Sequence, residues 1–429
     1  MTDISNKKTS LFDVFLYICV LLSGLVPRYI TTFKLHIVIG ISMFTIAVII
    51  TWVLFVRRLK VYKSLECSFF FIWFIWIVCS IWRAERIGVW ALYLDWIITA
   101  ILFMQILYYR NDQKTFDIVS IAIVDASFIQ ILIGLYEITV HRYVFEIGSV
   151  SRHSYGYVAI SMFYNANDYA TFIVTIMPFA IYLLFKRIGV FYRIYYIFII
   201  VASIILVLRS GSRASVLGLL LIVGTLLFLF FRKSKKNILI GISVTFISVA
   251  AIVASSRLRQ IITSTFMDII RDQSGVSNSY RINLIKNGLY FLKETFGFGV
   301  GTGNLVNWLE NKSIYPIGQL QLIHNWYIEI AVTFGLLFFV IYLILHIKVI
   351  VSLIKSFSMN ESFWTLNNTI LVSFISFSLV SISSSSNFYS EWVWMYLVFI
   401  SSFVLFQSKR RIRQKVEKTK VNKGIYNES

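Results

Sequence analysis

Long apolar runs recur along the whole chain and constrain its fold more than any other feature. They are roughly 16 to 24 residues long, close to the ~20 apolar residues that a helix needs to cross the hydrocarbon core of a bilayer. A helix suits this environment because it satisfies every backbone N–H and C=O group within the segment. Hydrophobic residues make up 58% of the 429 residues, which excludes an intrinsically disordered chain and most soluble proteins. We therefore predict an all-α, polytopic membrane protein.

The apolar runs predict about twelve transmembrane helices. These helices cover residues 11–26, 35–55, 65–82, 89–108, 117–140, 163–185, 194–208, 216–231, 237–255, 324–347, 365–385 and 392–406. The chain then divides into transmembrane helices 1–9 (residues 1–256), one long loop (257–323), transmembrane helices 10–12 (324–407) and a basic tail (408–429).

Lysine and arginine residues indicate the orientation of these helices. With the N-terminus in the cytoplasm, the densest basic clusters fall on the cytoplasmic side, at residues 57–63, 186–193, 232–236 and 409–423. Basic residues in short loops prefer that side, so we predict both termini inside and the loop 257–323 outside. About 25 of the 40 basic residues then face the cytoplasm. The tail either serves only to set this topology or also contacts anionic lipid headgroups.

The extracytoplasmic loop contains two stretches with apolar residues at helical spacing, at residues 257–272 and 281–296. Both predict amphipathic helices that lie on the membrane surface or over the mouth of the bundle. Four glycines follow in the sequence GFGVGTG, which lacks the strand and helix context of a dinucleotide or P-loop motif. The N–H groups of this turn could still bind an anion. Equally, the glycines could form a tight turn that lets the surface helix reverse direction.

Basic and amide side chains gather on the predicted outer side. They are Arg152, Asn165 and Asn167 around the start of the sixth span, Arg209 and Arg213 between the seventh and eighth, Arg281 in the long loop, and His324 and Asn325 at the start of the tenth. Arginine binds two phosphate oxygens at once and keeps its charge, and histidine accepts a proton near neutral pH. Together they predict activation of a hydroxyl group that displaces a pyrophosphate. Outer carboxylates are scattered, so no metal site is predicted.

Four short elements resemble the O-antigen ligase and polymerase superfamily of bacterial cell-envelope polysaccharide assembly. YNANDYA at residues 164–170 resembles its Asn-Pro-Asn-x-x-Ala element, with Ala166 in place of proline, and GSRAS at 211–215 resembles its Ser/Thr-Arg-small element. Arg281 followed by GFGVGTGN resembles its Arg then Gly-x-Gly segment. His324 and Asn325, nine further residues and Gly335 match its His-Asn-x9-Gly pattern, although Phe338 stands where a smaller residue is common.

The resemblance implies a metal-independent membrane glycosyltransferase that needs no cofactor. It would polymerise capsular, exopolysaccharide or O-antigen repeat units, by transfer of a glycan from undecaprenyl pyrophosphate to the hydroxyl of a lipid-linked repeat unit on the outer leaflet of the bacterial cell (inner) membrane. His324, Arg213 and Arg281 would be catalytic, and Arg209, Arg152, Asn165, Asn167, Gly299, Gly301 and Asn325 would bind substrate. The expected partners are these lipid-linked glycans, membrane lipids, and chain-length regulator and flippase proteins, but no nucleic acid.

Three alternatives remain open from the sequence. A ligase of the same superfamily would transfer the glycan to another acceptor. A lipid-linked oligosaccharide transporter or flippase would share the span count, although the internal repeats and paired broken helices of transporters are not evident. A third alternative is a polyprenyl-monophosphate-dependent glycosyltransferase. Such enzymes resemble each other in having an acidic residue in the first outer loop. Here that loop, residues 27–34, has no acidic residue.

Four polar residues lie inside predicted spans, where an unpaired charge costs at least ~2.5 kcal/mol. They are Asp95, Asp125, Gln130 and Glu137. Each either forms hydrogen bonds between helices or lines a wet cleft for the substrates. Glu137 lies nearest the outer face and is the strongest candidate for a function in the cleft.

Overall fold

The computed structural model describes residues 10–25, 65–145, 158–163, 165–186, 189–231, 275–318, 322–357, 364–382 and 390–425. These residues form thirteen α-helices and one short 3-10 helix, without a strand. The helices are α1 (Leu11–Leu25), α2 (Leu65–Cys79), α3 (Ile87–Arg110), α4 (Gln113–Val140), α5 (Ala166–Lys186), α6 (Val190–Arg209), α7 (Arg213–Phe231), α8 (Gly275–Glu294), α9 (Leu305–Lys312), α10 (Trp326–Phe334), α11 (Leu336–Lys355), α12 (Leu366–Val380) and α13 (Glu391–Ile425). The predicted spans 35–55 and 237–255, the predicted amphipathic helix 257–272 and Arg152 lie outside the described residues.

Seven of the described helices are long and apolar enough to cross a membrane. They are α3, α4, α5, α6, α7, α11 and α13, and shorter apolar helices coincide with α1, α2 and α12. Each corresponds to a predicted span, because a long apolar run in this environment has no other way to satisfy its backbone polar groups. The prediction of an all-helical, multi-pass membrane protein is therefore confirmed for the described residues, while the count of twelve and the orientation stay predictions.

The predicted continuous helix over residues 324–347 is wrong, because the chain breaks at Gly335 between α10 and α11. Gly335 has a φ of +95°, which an α-helix does not tolerate. Its N–H group still donates to the carbonyl of Ala331 at 2.8 Å, but the next N–H group, from Leu336, donates to the carbonyl of Gly297 at 2.8 Å. The glycine turn after α8 thus provides the acceptor that ends α10.

Helix α5 forms the centre of the bundle, and nearly all its residues are buried. It packs against α4, α6, α7 and α12. The contact with α12 includes a hydrogen bond from Ser373 Oγ to the carbonyl of Thr175 at 2.6 Å. Gly218 brings α7 close to the same pair of helices, since a Cβ atom at Gly218 would lie 2.7 Å from Val174 and 2.9 Å from Val380.

Asp125 and Gln130, two of the polar residues inside predicted spans, form hydrogen bonds between elements. Asp125 of α4 accepts hydrogen bonds from the hydroxyls of Tyr17 and Tyr195 at 2.7 and 2.8 Å, which joins α1 and α6 to α4. Gln130 donates to the carbonyls at the end of α1 at 3.2 Å and accepts from Ser161 Oγ at 2.5 Å. These contacts favour a structural function for Asp125 and Gln130.

Glu137 holds the segment 158–163 against α4. Its carboxylate accepts hydrogen bonds from the N–H groups of Ile160 at 2.9 Å and Ser161 at 2.8 Å, and the side chain is fully buried. Backbone N–H groups of a loop need such acceptors when they are buried away from water. The geometry therefore favours a structural function for Glu137 over one in a substrate cleft.

Candidate active site

Arg213 lies at the start of α7, where Ser212 caps the helix. Ser212 Oγ accepts a hydrogen bond from the N–H group of Ser215 at 3.4 Å and lies 2.9 Å from Ser215 Oγ. Serine is a favoured cap because its oxygen satisfies an N–H group that has no partner within the helix. Arg213 therefore occupies the first helical position, and its side chain is exposed.

The two arginines of this hairpin have different helix environments. Arg209 lies in the last turn of α6, where the negative end of the helix dipole stabilises a cation. Arg213 lies at the positive end of α7, where a cation is unfavourable and an anion is favourable. An anion between Arg213 and the first N–H groups of α7 would be stabilised by both. Arg213 is thus the stronger indicator of an anionic ligand.

The turn that carries Arg213 lies at the same end of the bundle as His324. Gly218, five residues after Arg213, contacts Val380 near the end of α12. The next residue, Ser381, accepts a hydrogen bond through its carbonyl from the N–H group of Trp326 at 3.0 Å. Trp326 is two residues from His324, so the structure brings two predicted catalytic residues to neighbouring helix ends.

His324 stands immediately before the N-terminus of α10 in a strained backbone conformation. Its φ is +50°, a left-handed value that is uncommon for a residue with a side chain and is often found at functional sites. Asn325 is the N-cap, because its Oδ1 accepts from the N–H groups of Tyr327 and Ile328 at 3.1 and 3.0 Å. The predicted substrate contact of Asn325 stays a prediction, and the cap already occupies its side-chain oxygen.

Helix α8, which carries Arg281, lies directly on α10. A Cβ atom at Gly288 would lie 3.0 Å from Val332 and 3.1 Å from Ile323, the residue before His324. Arg281 is two turns earlier on the same helix, about 10.5 Å along its axis. The structure therefore places Arg281 and His324 on packed elements.

The chain between α9 and α10 returns along α8 toward its N-terminal half. Asn287 of α8 accepts hydrogen bonds from the N–H groups of Ile314 and Tyr315, both at 3.0 Å. Further along, a Cβ atom at Gly318 would lie 2.7 Å from the ring of Tyr280, the neighbour of Arg281. The described part of this segment thus ends at Gly318 beside the neighbour of Arg281, and the chain is described again from Leu322, two residues before His324.

The glycine turn at residues 297–303 packs on the break between α10 and α11. The N–H group of Gly299 donates to Thr295 Oγ1 at 3.1 Å, and that of Gly301 donates to the carbonyl of Thr333 at 3.1 Å. Both N–H groups therefore already have acceptors within the protein. These bonds favour the tight turn, and the anion-binding function of Gly299 and Gly301 stays a prediction without support from them.

Asn304 connects this turn to the segment just before the N-terminus of α3. Its Nδ2 donates to the carbonyls of Arg83 and Val300 at 2.7 and 2.9 Å, and its Oδ1 accepts from the N–H group of Glu85 at 2.9 Å. The side chain is buried. One asparagine thus satisfies three backbone groups from two segments more than 200 residues apart in sequence.

Asn165 caps the start of α5. Its Oδ1 accepts from the N–H group of Asp168 at 2.9 Å, and its Nδ2 donates to the Asp168 carboxylate at 3.0 Å. Asn167 lies half-buried in the first turn, where its carbonyl accepts from Thr171 Oγ1 at 2.7 Å. The structure therefore gives the YNANDYA element a function in starting α5, and the substrate contacts of Asn165 and Asn167 stay predictions.

A buried carboxyl group near His324 was missed by the sequence analysis. Glu329 lies in α10, five residues after His324, and is 1% exposed. The signal for it was a charged residue inside the apolar run WYIEIAVTF, which is expensive in a membrane and often functional. Among the described residues, no group of three or more His, Cys, Asp or Glu side chains could hold a metal ion.

The chain is similar to proteins of known families. Residues 198–343 match the O-antigen ligase family, and this range includes Arg209, Arg213, Arg281 and His324. The chain is also 28% identical over 357 residues to the teichuronic acid biosynthesis protein TuaE of Bacillus subtilis (strain 168), an alignment that covers 80% of this chain and 72% of the relative. The predicted resemblance to the O-antigen ligase and polymerase superfamily is thus confirmed, and the chain is similar to membrane proteins of polysaccharide biosynthesis.

Proposed function

We propose that this protein is a polysaccharide polymerase. It transfers a glycan from undecaprenyl pyrophosphate to the hydroxyl of a lipid-linked repeat unit, on the outer leaflet of the bacterial cell (inner) membrane. The observation that carries the proposal is that Arg213 and His324 lie at one end of the bundle. On the Arg213 side, Gly218 packs against Val380. On the His324 side, the N–H group of Trp326 donates to the carbonyl of Ser381, the residue after Val380. The relative named for teichuronic acid biosynthesis supports a product that is a polymer of the cell envelope.

Arg213 and Arg281 bind the pyrophosphate of the donor. The planar guanidinium group can bond two phosphate oxygens and keeps its charge at any physiological pH. As the bond between the anomeric carbon and the pyrophosphate oxygen breaks, negative charge grows on that oxygen, and fixed cations stabilise it. The N-terminus of α7 adds N–H groups that favour the same charge. Arg209 assists at the edge of this site, and the family resemblance gives Arg152, which lies outside the described residues, a supporting function in binding the same pyrophosphate.

His324 accepts the proton of the attacking hydroxyl. The acceptor oxygen then bonds to the anomeric carbon while the lipid pyrophosphate leaves with the electrons of the broken bond. The leaving group is already an anion that arginines stabilise without proton exchange, so the reaction requires no general acid. The strained backbone of His324 is consistent with a side chain held in one direction.

A ligase of the same family is the second candidate, because the matched family is described by that activity. The two functions differ only in the acceptor, which is the growing repeat-unit chain for a polymerase and another molecule for a ligase. A transporter is a weaker candidate. Transporter sites often lie between paired broken helices, and within the described residues the single break inside a predicted span is at Gly335.

Purified protein in lipid nanodiscs, mixed with lipid-linked repeat units, tests the proposal. The expected product of the wild-type protein is a ladder of polymers, resolved by gel electrophoresis. Arg213→Ala, Arg281→Ala and His324→Ala should insert normally and form no detectable polymer in the time that the wild-type protein needs for a full ladder. Arg193→Ala is the matched control, since Arg193 is an exposed arginine near the other end of α6 and should leave polymerisation unchanged.

Three outcomes would contradict the proposal in different ways. Transfer of a single chain onto a different acceptor would identify a ligase. Movement of the lipid-linked unit across a vesicle membrane without a new glycosidic bond would identify a transporter. Full-length polymer from a well-expressed Arg281→Ala variant would remove Arg281 from the site. Whether chain-length regulator and flippase proteins bind this protein is tested separately, by co-purification.

A further inference from the structure

A directional chain of hydrogen bonds runs beneath α10 through the apolar bundle. Trp326 Nε1 donates to the hydroxyl oxygen of Tyr342 at 2.7 Å, and the Tyr342 hydroxyl lies 3.2 Å from His346 Nδ1. His346 Nε2 lies 2.8 Å from Ser378 Oγ, which donates to the carbonyl of Phe374 at 2.7 Å. Trp326, Tyr342 and His346 are buried.

The two ends of this hydrogen-bond chain, together with a neutral His346, give each bond one direction. The indole N–H of Trp326 can only donate, so the Tyr342 oxygen accepts there, and the Tyr342 hydroxyl donates to the unprotonated Nδ1 of His346. At the other end, Ser378 uses its hydrogen for the carbonyl of Phe374, so its oxygen accepts from His346 Nε2. His346 is therefore the neutral tautomer with its hydrogen on Nε2, and both ring nitrogens are used.

These hydrogen bonds close a ring of contacts around the N-terminus of α10. The N–H group of Trp326 donates to the carbonyl of Ser381 at 3.0 Å, and the Tyr327 hydroxyl donates to the carbonyl of Ser378 at 3.2 Å. These two bonds fix α10 to α12, while the bond from Trp326 to Tyr342 fixes it to α11. His346 completes the ring, since it joins α11 to α12.

The His346 ring is itself held by aromatic neighbours. Its centroid lies 4.5 Å from that of Phe374 and 5.4 Å from that of Tyr342. The hydrogen bonds of its two ring nitrogens go to Tyr342 and Ser378, and its connection to Trp326 runs through the Tyr342 hydroxyl. His346 would therefore act on the first turn of α10 through Tyr342.

We propose that His346 is a positioning residue for the transfer reaction. It holds Tyr342, which holds the Trp326 ring and the first turn of α10, and so fixes the direction of His324 toward the attacking hydroxyl of the acceptor. This inference rests on the proposed function. It adds a buried group that does not contact the substrates and that sets the geometry of the candidate active site. A misplacement of about 1 Å at a reacting group can cost up to about 100-fold in rate.

Two variants interrupt this series of hydrogen bonds with little change in the shape of the side chains. His346→Phe keeps an aromatic ring and removes both nitrogens, and Tyr342→Phe removes only the hydroxyl. Each should lower kcat by about tenfold to a hundredfold, with KM for the lipid-linked donor within about twofold of wild type. The double variant should be no slower than either single variant, because all three interrupt one chain.

Tyr396→Phe is the matched control. Tyr396 is also buried, and its hydroxyl lies 2.7 Å from Ser373 Oγ on the same helix α12, but this pair makes no bond to α10. The variant should therefore lose a comparable buried hydrogen bond and keep the wild-type kcat. An equal fall in kcat for Tyr396→Phe, a change confined to KM, or additive losses in the double variant would each overturn the inference.

Amide hydrogen exchange separates this inference from the proposed function. The N–H groups at residues 326–328 should exchange faster in His346→Phe than in the wild-type protein and should be unchanged in Tyr396→Phe. This result needs no enzymatic activity, so an inactive wild-type protein would refute the proposed transfer while the exchange data still decide whether His346 holds α10. Unchanged exchange at residues 326–328 in His346→Phe would refute the positioning function even if polymer forms.

Discussion

A Cβ atom on Gly299 would lie 2.6 Å from the backbone nitrogen of Gly335. The glycine turn after α8 and the break between α10 and α11 thus meet backbone to backbone. Neither position has room for a side chain, and both have a positive φ. The contact matters for the candidate site because α8 carries Arg281 and α10 begins beside His324.

Gly299→Ala should destabilise the protein strongly. The left-handed φ alone costs an alanine about 1–2 kcal/mol, and the contact with the Gly335 backbone adds a displacement of the turn. A lower midpoint of thermal unfolding in detergent would show the effect. Gly224→Ala is the control, since a Cβ atom there contacts nothing within 4 Å in exposed helix α7, and it should be neutral or slightly stabilising. Equal midpoints for the two variants would contradict the packing described.

Asn304→Ala should loosen the attachment of the glycine turn to the segment just before α3. The change leaves the backbone groups of Arg83, Glu85 and Val300 without their partner, at about 1–3 kcal/mol for each group that water does not reach. Limited proteolysis should then cut faster near residues 80–86. Asn311→Ala is the comparison, because Asn311 is exposed and its described bonds stay within α9 and should not alter the cleavage. Unchanged cleavage in Asn304→Ala would argue against the connection.

Glu137→Gln and Glu137→Ala distinguish a structural from a catalytic carboxylate. The glutamine keeps an oxygen for the N–H groups of Ile160 and Ser161, so polymer formation should stay close to the wild-type level. The alanine leaves two buried N–H groups without an acceptor and should lower stability by about 1–3 kcal/mol for each. Loss of activity in a stable Glu137→Gln variant would instead assign the carboxylate to the chemistry.

Arg213 should contribute more to the rate of transfer than Arg209, although the two residues flank the same turn between α6 and α7. Arg213→Ala should lower kcat by roughly 10²–10³, the usual loss for one group that stabilises transition-state charge. Arg213→Lys should recover only part of this rate, since lysine lacks the planar fork. Arg209→Ala should have a smaller effect, because Arg209 already has a favourable place at the end of α6. The reverse order of the two alanine variants would move the pyrophosphate toward α6.

The apolar pattern predicted the described helices well because the length of an apolar run limits what a membrane segment can do. The spans predicted at residues 117–140 and 194–208 correspond to α4 and α6, with bounds a few residues wider. The end of α10 was not predictable in the same way. A lone glycine in an apolar run is compatible with a continuous helix. The break depends on the bond from the N–H group of Leu336 to the carbonyl of Gly297, which lies 39 residues before Leu336 in the sequence.

The candidate site shows the same division. Motif order and residue chemistry identified Arg213, Arg281 and His324, because few side chains suit a pyrophosphate and a hydroxyl. The same reasoning assigned Asn165, Asn325 and the glycines to substrate, whereas their hydrogen bonds in the structure are caps and turns. An amide side chain serves either purpose, and the sequence does not show which partner it finds.

By itself, the sequence determined that this chain is an all-helical membrane protein, and it singled out the arginines and the histidine of the candidate site. Tertiary structure alone decided which helix ends meet, that α10 stops at Gly335, and that His346 is tied to Trp326 through Tyr342. The reason is physical. Hydrophobic burial and backbone hydrogen bonding within a helix are local and visible in a run of residues, whereas hydrogen bonds between distant segments depend on how the helices pack.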